Sequence, residues 1–182
     1  VDFAWFSAGR LNASFNCVDR HLETLGDRTA IIWAQDEVGA YRHISYRELK
    51  HNVCRVANVL LAHGVRRGDR VCIYMGMMPE LVYTMLACAR IGAVHSVVFG
   101  GFSSEALRDR IVDARCRMVV TANEGLRGGK RIPLKKTVDL APDRPFVATS
   151  VAPGRRMVPP ASVQVPPVSV VKGEGNWMTA TE

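Results

Sequence analysis

Gly100-Gly101 and Gly128-Gly129 are the two adjacent-glycine pairs of this chain, and both stand among residues that could bind an anion. The first ends the apolar run Val97-Val98-Phe99 and leads through Phe102-Ser103 into a helical pattern. The second lies in Glu124-Gly125-Leu126-Arg127-Gly128-Gly129-Lys130-Arg131, a glycine-punctuated loop with fixed positive charge. Glycine lets a backbone approach a ligand closely and adopt dihedrals closed to other residues. A helix starting near Ser103 favours an anion at its N-terminus, and Arg127 has the planar fork that grips a phosphate with two hydrogen bonds. Two readings of each segment are open. Gly100-Gly101 is either a wall against a phosphorylated ligand or a tight strand-to-helix turn. Arg127 to Lys130 is either a phosphate grip or a basic surface loop. Neither full nucleotide-binding fingerprint, G-x-G-x-x-G nor G-x-x-x-x-G-K-[ST], is present. No general acid–base pair, Ser/His/Asp set or metal-ligand cluster stands out, so no catalytic residue and no metal ligand is assigned.

The charge supports a small polyanion. The chain has 182 residues and a net charge of +7, and residues 108 to 136 hold nine basic side chains against three acidic ones. One compact basic focus suits a small phosphorylated molecule better than the long footprint of a nucleic acid. The 48% hydrophobic and 23% charged composition is that of a globular domain with a core. No apolar run approaches the ~20 residues that span a bilayer, and Val1 to Phe6 lacks the features of a signal peptide. Five scattered cysteines without a C-x-x-C pair read as reduced packing residues, which points to a cytoplasmic setting.

The elements that must position the glycine pairs follow from periodicity. Phe15, Val18, Leu22 and Leu25 have helical spacing, with Ser14 as N-cap and Gly26 as stop. Thr29 to Trp33 and His43 to Ser45 form a hairpin. Ser45-Tyr46-Arg47-Glu48 is a capping box opening a helix that ends at Gly64. From Arg70 onward the order is strand 70–75, helix 79–91, strand 93–99, helix 104–114 and strand 117–122. Short connections and intervening helices call for a parallel sheet with right-handed crossovers. The fold class is α/β, a largely parallel sheet flanked by helices. Ligands of such sheets bind beyond the carboxyl ends of the strands, where both glycine pairs fall. After Ala141 the character changes: seven of the nine prolines lie in residues 142–182. Proline removes ladder donors and breaks helices, so residues 142–182 are expected to form a tail without regular structure, disordered or non-native, behind a domain of residues 1–141.

Asp19-Arg20-His21, Gly26 to Trp33, Ile44 to Leu49, Met85 to Ser103 and Ile132 to Lys136 together closely resemble the acetyl-CoA synthetases. These are the AMP-forming acetate–CoA ligases of the adenylate-forming superfamily. The resemblance covers approximately residues 3–141. It implies part of that superfamily's N-terminal domain, and an activity that condenses acetate with ATP to acetyl-adenylate and pyrophosphate, then passes the acetyl group to CoA with release of AMP. CoA and ATP are the implied substrates alongside acetate, with Mg²⁺ accompanying the full-length enzyme; no nucleic acid or membrane partner is implied. The CoA-contacting segment of the family falls on Arg127, Gly128, Gly129 and Lys130, with Lys130 in place of a second arginine. The wall around the CoA nucleotide falls on Gly100 and Gly101. Gly76, where relatives usually carry proline, and Asn123, where aspartate is common, depart from the pattern. The family's phosphate loop, acyl-pocket tryptophan motif, ribose-binding aspartate and catalytic lysine have no counterpart in these 182 residues. The expectation is therefore a fragment without the ATP and acetate sites, unable to form the adenylate; the alternative is a non-catalytic remnant that binds CoA or another nucleotide.

Overall fold

In the computed structural model, residues 11–141 and the backbone of residues 147–151 are described. The chain opens with α1 (Ala13–Cys17), a 3₁₀ turn at Asp19–His21 and α2 (Leu22–Leu25). The single helix expected here is thus broken, and Ser14 is not its cap. Asn12 is: its side chain accepts from the Phe15 N–H at 3.2 Å. The break falls at Val18, whose backbone leaves helical geometry (φ −128°, ψ −64°) as its side chain enters the core. Gly26 remains right-handed at φ −51°, so it is not a left-handed stop.

β1 (Thr29–Ala34) and β2 (Tyr41–Ser45) pair antiparallel, as their β-branched and aromatic content leads one to expect. Ser45 caps α3 (Tyr46–Ala62) by accepting from the Glu48 N–H at 3.2 Å. Only half of the capping box forms on these contacts, because the Glu48 carboxylate turns to Arg42. Leu49, Val53, Val56, Ala57 and Leu60 make the buried stripe of α3.

β3 (Arg70–Met75), α4 (Pro79–Ile91), β4 (Val94–Phe99), α5 (Ser104–Asp113) and β5 (Met118–Ala122) then alternate as read from the sequence. Pro79 sits in the first turn of α4, where its missing N–H costs nothing, and Gly92 ends that helix at φ +75°. Three elements were not anticipated between β5 and the proline-rich region. The glycine loop is itself a hairpin, β6 (Gly125–Arg127) with β7 (Lys130–Ile132), and Pro133 then leads into α6 (Leu134–Leu140). Last comes β8 (Val147–Val151).

Strands β4, β3, β5 and β8 lie side by side in that order, every pair parallel. β8 corrects the expectation that nothing regular follows Ala141. The segment Val147-Ala148-Thr149-Ser150-Val151 contains no proline, so each residue is able to join the ladder beside Met118 to Ala122. The rest of 142–182 lies outside the described residues. Val71 to Met75 of β3 are all buried and alternate between two cores: Val71, Ile73 and Met75 pack with α3 and α4 in one, while Cys72 and Tyr74 pack with α5 and α6 in the other. Helices therefore cover both faces of a parallel sheet, the α/β arrangement expected. Strand β4 runs to one side of β3 and β5 to the other, so the chain changes direction between β3 and β5. A crevice opens beyond the carboxyl ends of strands at such a point.

A candidate anion site at the carboxyl edge of the sheet

Three loops meet at this edge. Gly76 to Met78 follows β3, Gly100 to Ser103 follows β4, and the β6–β7 hairpin follows β5. The second is pinned from below by Tyr74, whose hydroxyl donates to the Phe102 carbonyl at 2.9 Å with the Gly100 carbonyl 3.4 Å away. Burial pushes the Tyr74 phenol above its usual range, against a smaller opposite effect of Thr137. Tyr74 is held in turn by Thr121, whose hydroxyl donates to the Tyr74 carbonyl at 2.7 Å.

Glycine is needed in this turn for space and not for handedness. Neither Gly100 nor Gly101 is among the glycines at positive φ. A Cβ on Gly100 would lie 3.0 Å from Leu134 Cδ2 and 3.4 Å from the Met75 carbonyl oxygen; one on Gly101 would lie 2.7 Å from Phe99 Cε1. The unusual dihedrals allowed for in the sequence are found at the other pair, Gly128 (φ +57°) and Gly129 (φ +73°), where nothing crowds a side chain. Positive φ at both central residues of a two-residue loop is what a type I′ hairpin turn requires.

Phe99 and Phe102 flank the first turn with 53% and 40% of their surface exposed, and their rings meet edge to face at 6.3 Å. The Arg127 guanidinium lies over Phe99, 5.1 Å from the ring centre, and Arg110 covers Phe102 at 5.0 Å. Gly100-Gly101 and Arg127 are thus brought to one place through Phe99. Lys130 stands directly opposite Arg127 in the hairpin register, so both side chains leave the same face. Like charges opposed in this way repel each other. Neither has an acidic partner among the described residues, whereas Arg131 pairs with Glu124 at 2.5 Å and Lys135 with Asp139 at 2.5 Å.

Of the two backbone anion seats read from the sequence, the Gly128-Gly129 turn is already filled by one of the chain's own carboxylates. Asp36, in the loop between β1 and β2, accepts from the Gly128 and Gly129 N–H groups, one oxygen to each and both at 2.9 Å. At the start of α5, Ser103 caps the helix by accepting from the Ala106 N–H at 3.3 Å. There the Glu105 carboxyl is held below its usual range by its own backbone N–H and by the Ser103 and Ser104 hydroxyls. The backbone cradle expected at Gly128-Gly129 exists, but it holds Asp36. What the hairpin turns outward is the side chains of Arg127 and Lys130. Asp36, Tyr74 and Glu105 escaped the sequence reading. Nothing local ties an aspartate in one hairpin loop to amides 92 residues on; the aromatic residues on either side of Gly100-Gly101 were a usable signal for a stacking surface.

Among the described residues no group of three His, Cys, Asp or Glu side chains is placed to hold a metal ion. No residue here is assigned to Mg²⁺ and no step is routed through it. No helix among the described residues is long and apolar enough to cross a membrane.

A model of AMP-binding enzymes matches residues 18–168. Among curated proteins, this chain is similar to acetyl-coenzyme A synthetase 2 of Pseudomonas aeruginosa, 63% identical over 148 residues that make up 81% of this chain and 23% of that protein. The acetyl-coenzyme A synthetase of Rhizobium rhizogenes is 62% identical over 143 residues, 79% of this chain and 22% of the relative. That of Salmonella typhimurium is 57% identical over 149 residues, 82% and 23% respectively. The chain spans less than a quarter of the length of these relatives.

Proposed function

This chain belongs to the AMP-binding enzymes, and from that membership we propose that it is part of the N-terminal domain of an acetate–CoA ligase and carries the CoA side of its site. The whole-protein reaction in this proposal joins acetate and ATP to acetyl-adenylate and pyrophosphate, then transfers acetyl to the CoA thiol with release of AMP. The single observation that carries the CoA assignment is Arg127 lying over Phe99 beside Gly100-Gly101, with Lys130, which has no acidic partner among the described residues, across the hairpin. Two neighbouring cations without a carboxylate partner among the described residues supply charge-assisted hydrogen bonds to a phosphate. The guanidinium planes of Arg127 and Arg110, laid over the partly exposed Phe99 and Phe102 rings, offer a flat cationic surface for a nucleotide base. Gly128 and Gly129 shape the turn, and Gly100 and Gly101 form the adjoining wall, where Leu134 and the Phe99 ring pack close against the backbone.

Titration of the 182-residue chain with CoA tests this. Saturable binding is expected, weakened by salt as for any exposed charge pairing. Arg127→Ala should reduce it about tenfold or more, the worth of a hydrogen bond to a charged group. Absence of CoA binding by the folded chain would overturn the assignment. Because counterparts of the family's ATP and acetate residues are missing from the sequence, the same preparation should release no pyrophosphate with acetate and ATP. A second reading, a stand-alone non-catalytic nucleotide binder, is favoured by one fact: the described sheet has a core of its own on each face. CoA binding without any complementing polypeptide fits both readings; restoration of acetyl-CoA synthesis by the missing part of a relative would select the ligase.

A further inference from the structure

The β6–β7 hairpin has only three residues in each strand, too little to hold its own position. Its root is anchored well. Lys135 N–H donates to the Asn123 carbonyl at 3.2 Å across the base of the excursion, and Ile132 packs into the core beneath α5 and α6. Its tip is different. Neither glycine of the turn has a side chain to pack, and the tie there is the Asp36 carboxylate, spread over both turn amides at 2.9 Å. Asp36 is itself placed from this edge of the sheet. The Trp33 indole N–H donates to the Met77 carbonyl at 3.0 Å, fixing the β1–β2 hairpin to the loop after β3. Gln35 N–H to Ala40 (2.9 Å) and Ala40 N–H to Glu37 (3.1 Å) then close the loop that carries Asp36.

We propose that Asp36 is the positioning residue of the anion site: by clamping the Gly128-Gly129 turn it holds the adjoining Arg127 and Lys130, whose charges repel, on the face they present to a phosphorylated ligand. It also saturates the two turn amides, so the phosphate goes to the guanidinium and ammonium groups and not to the backbone. The proposal rests on the CoA assignment for the identity of the ligand, but not for the clamp itself. Asp36 lies in a different hairpin, outside the segments assigned to CoA, and acts through the residues beside the turn.

The test compares wild type with Asp36→Ala and Asp36→Asn in the full 182-residue chain, by brief trypsin digestion and by titration with CoA. Trypsin cuts after Arg127, Lys130 and Arg131, all in the hairpin. Asp36→Ala is expected to speed those cuts several-fold while cuts elsewhere keep their rates, the sign that the fold is intact. It should weaken CoA binding about fivefold, the worth of one to two ordinary hydrogen bonds. Asp36→Asn, which keeps one acceptor, should fall between. In an Arg127→Ala background, which keeps Lys130, Asp36→Ala should weaken CoA binding by a smaller factor than in wild type, an outcome that a structural role independent of Arg127 would not give. Unchanged hairpin cleavage in Asp36→Ala overturns the clamp; tighter CoA binding overturns positioning in favour of competition for the amides. If wild type binds no CoA, the function assignment fails on its own, and the cleavage rates still decide the clamp.

Discussion

Glycine at position 101 is the residue on which the geometry of the site turns most directly. Its missing side chain leaves the space into which the Phe99 ring leans, and Phe99 carries Arg127. Gly101→Ala should move that ring and lower CoA affinity with little effect on stability, because the ring is half exposed and free to swing. Gly100→Ala should instead destabilise the fold by about 1–3 kcal/mol, because its Cβ meets the buried Leu134. Denaturant titration alongside CoA titration separates the two. His95 gives a pH signature. Burial holds its imidazole below the usual 6.5, so the folded chain binds a proton there less readily than the unfolded chain. Stability from this group is present above pH 6.5 and declines as the pH falls below it. The thermal midpoint should drop between pH 7 and 5, and His95→Gln should flatten that slope. Cysteine chemistry follows exposure: burial pushes the Cys72 and Cys88 thiols up to about 12, whereas Cys17 is exposed. A thiol reagent at pH 8 should label Cys17 first, and Cys72, Cys88 and Cys116 only on unfolding.

At the scale of elements, local chemistry sets the start and stop of most helices and strands. Ser45 closes the first turn of α3, and Ser45→Ala should cost about 1 kcal/mol in denaturant unfolding. The β6–β7 turn depends on handedness. Gly129→Ala forces an L side chain into positive φ at a cost of about 1–2 kcal/mol, which the small hairpin has little reserve to absorb. That strain should show as weaker CoA binding rather than as a lower global midpoint, since the two cores lie elsewhere. The hairpin and α6 were hidden in the sequence because three-residue strands are too short to show a period. The break of the first helix was hidden too: Phe15, Val18, Leu22 and Leu25 keep helical spacing across it.

For the whole molecule, one ion pair ties the opening segment to the sheet layer. Arg90 near the end of α4 meets Asp19 with two hydrogen bonds of 2.7 and 2.8 Å, and the side chains are 18% and 7% exposed. Asn12 reinforces the tie by donating to the carbonyls of Ala89 and Arg90 at 3.3 and 3.0 Å. Removing one member of a mostly buried pair strands the other, so Asp19→Ala should cost roughly 3 kcal/mol. Denaturant unfolding would reveal this as a lower midpoint; no change would mean that the first helices are independent of the core.

The sequence by itself determined the alternation of strands and helices, the parallel sheet, the membership of a family and the two segments that meet at the carboxyl edge. Those are properties of local pattern: period, capping residues, glycine pairs and the spacing of charge. Tertiary structure alone decided which anion seats stay open. Asp36 fills the turn amides from a distant hairpin, while Phe99 carries Arg127 to Gly100-Gly101. Which donor meets which acceptor depends on distances fixed by packing, and no local spacing in the chain records them.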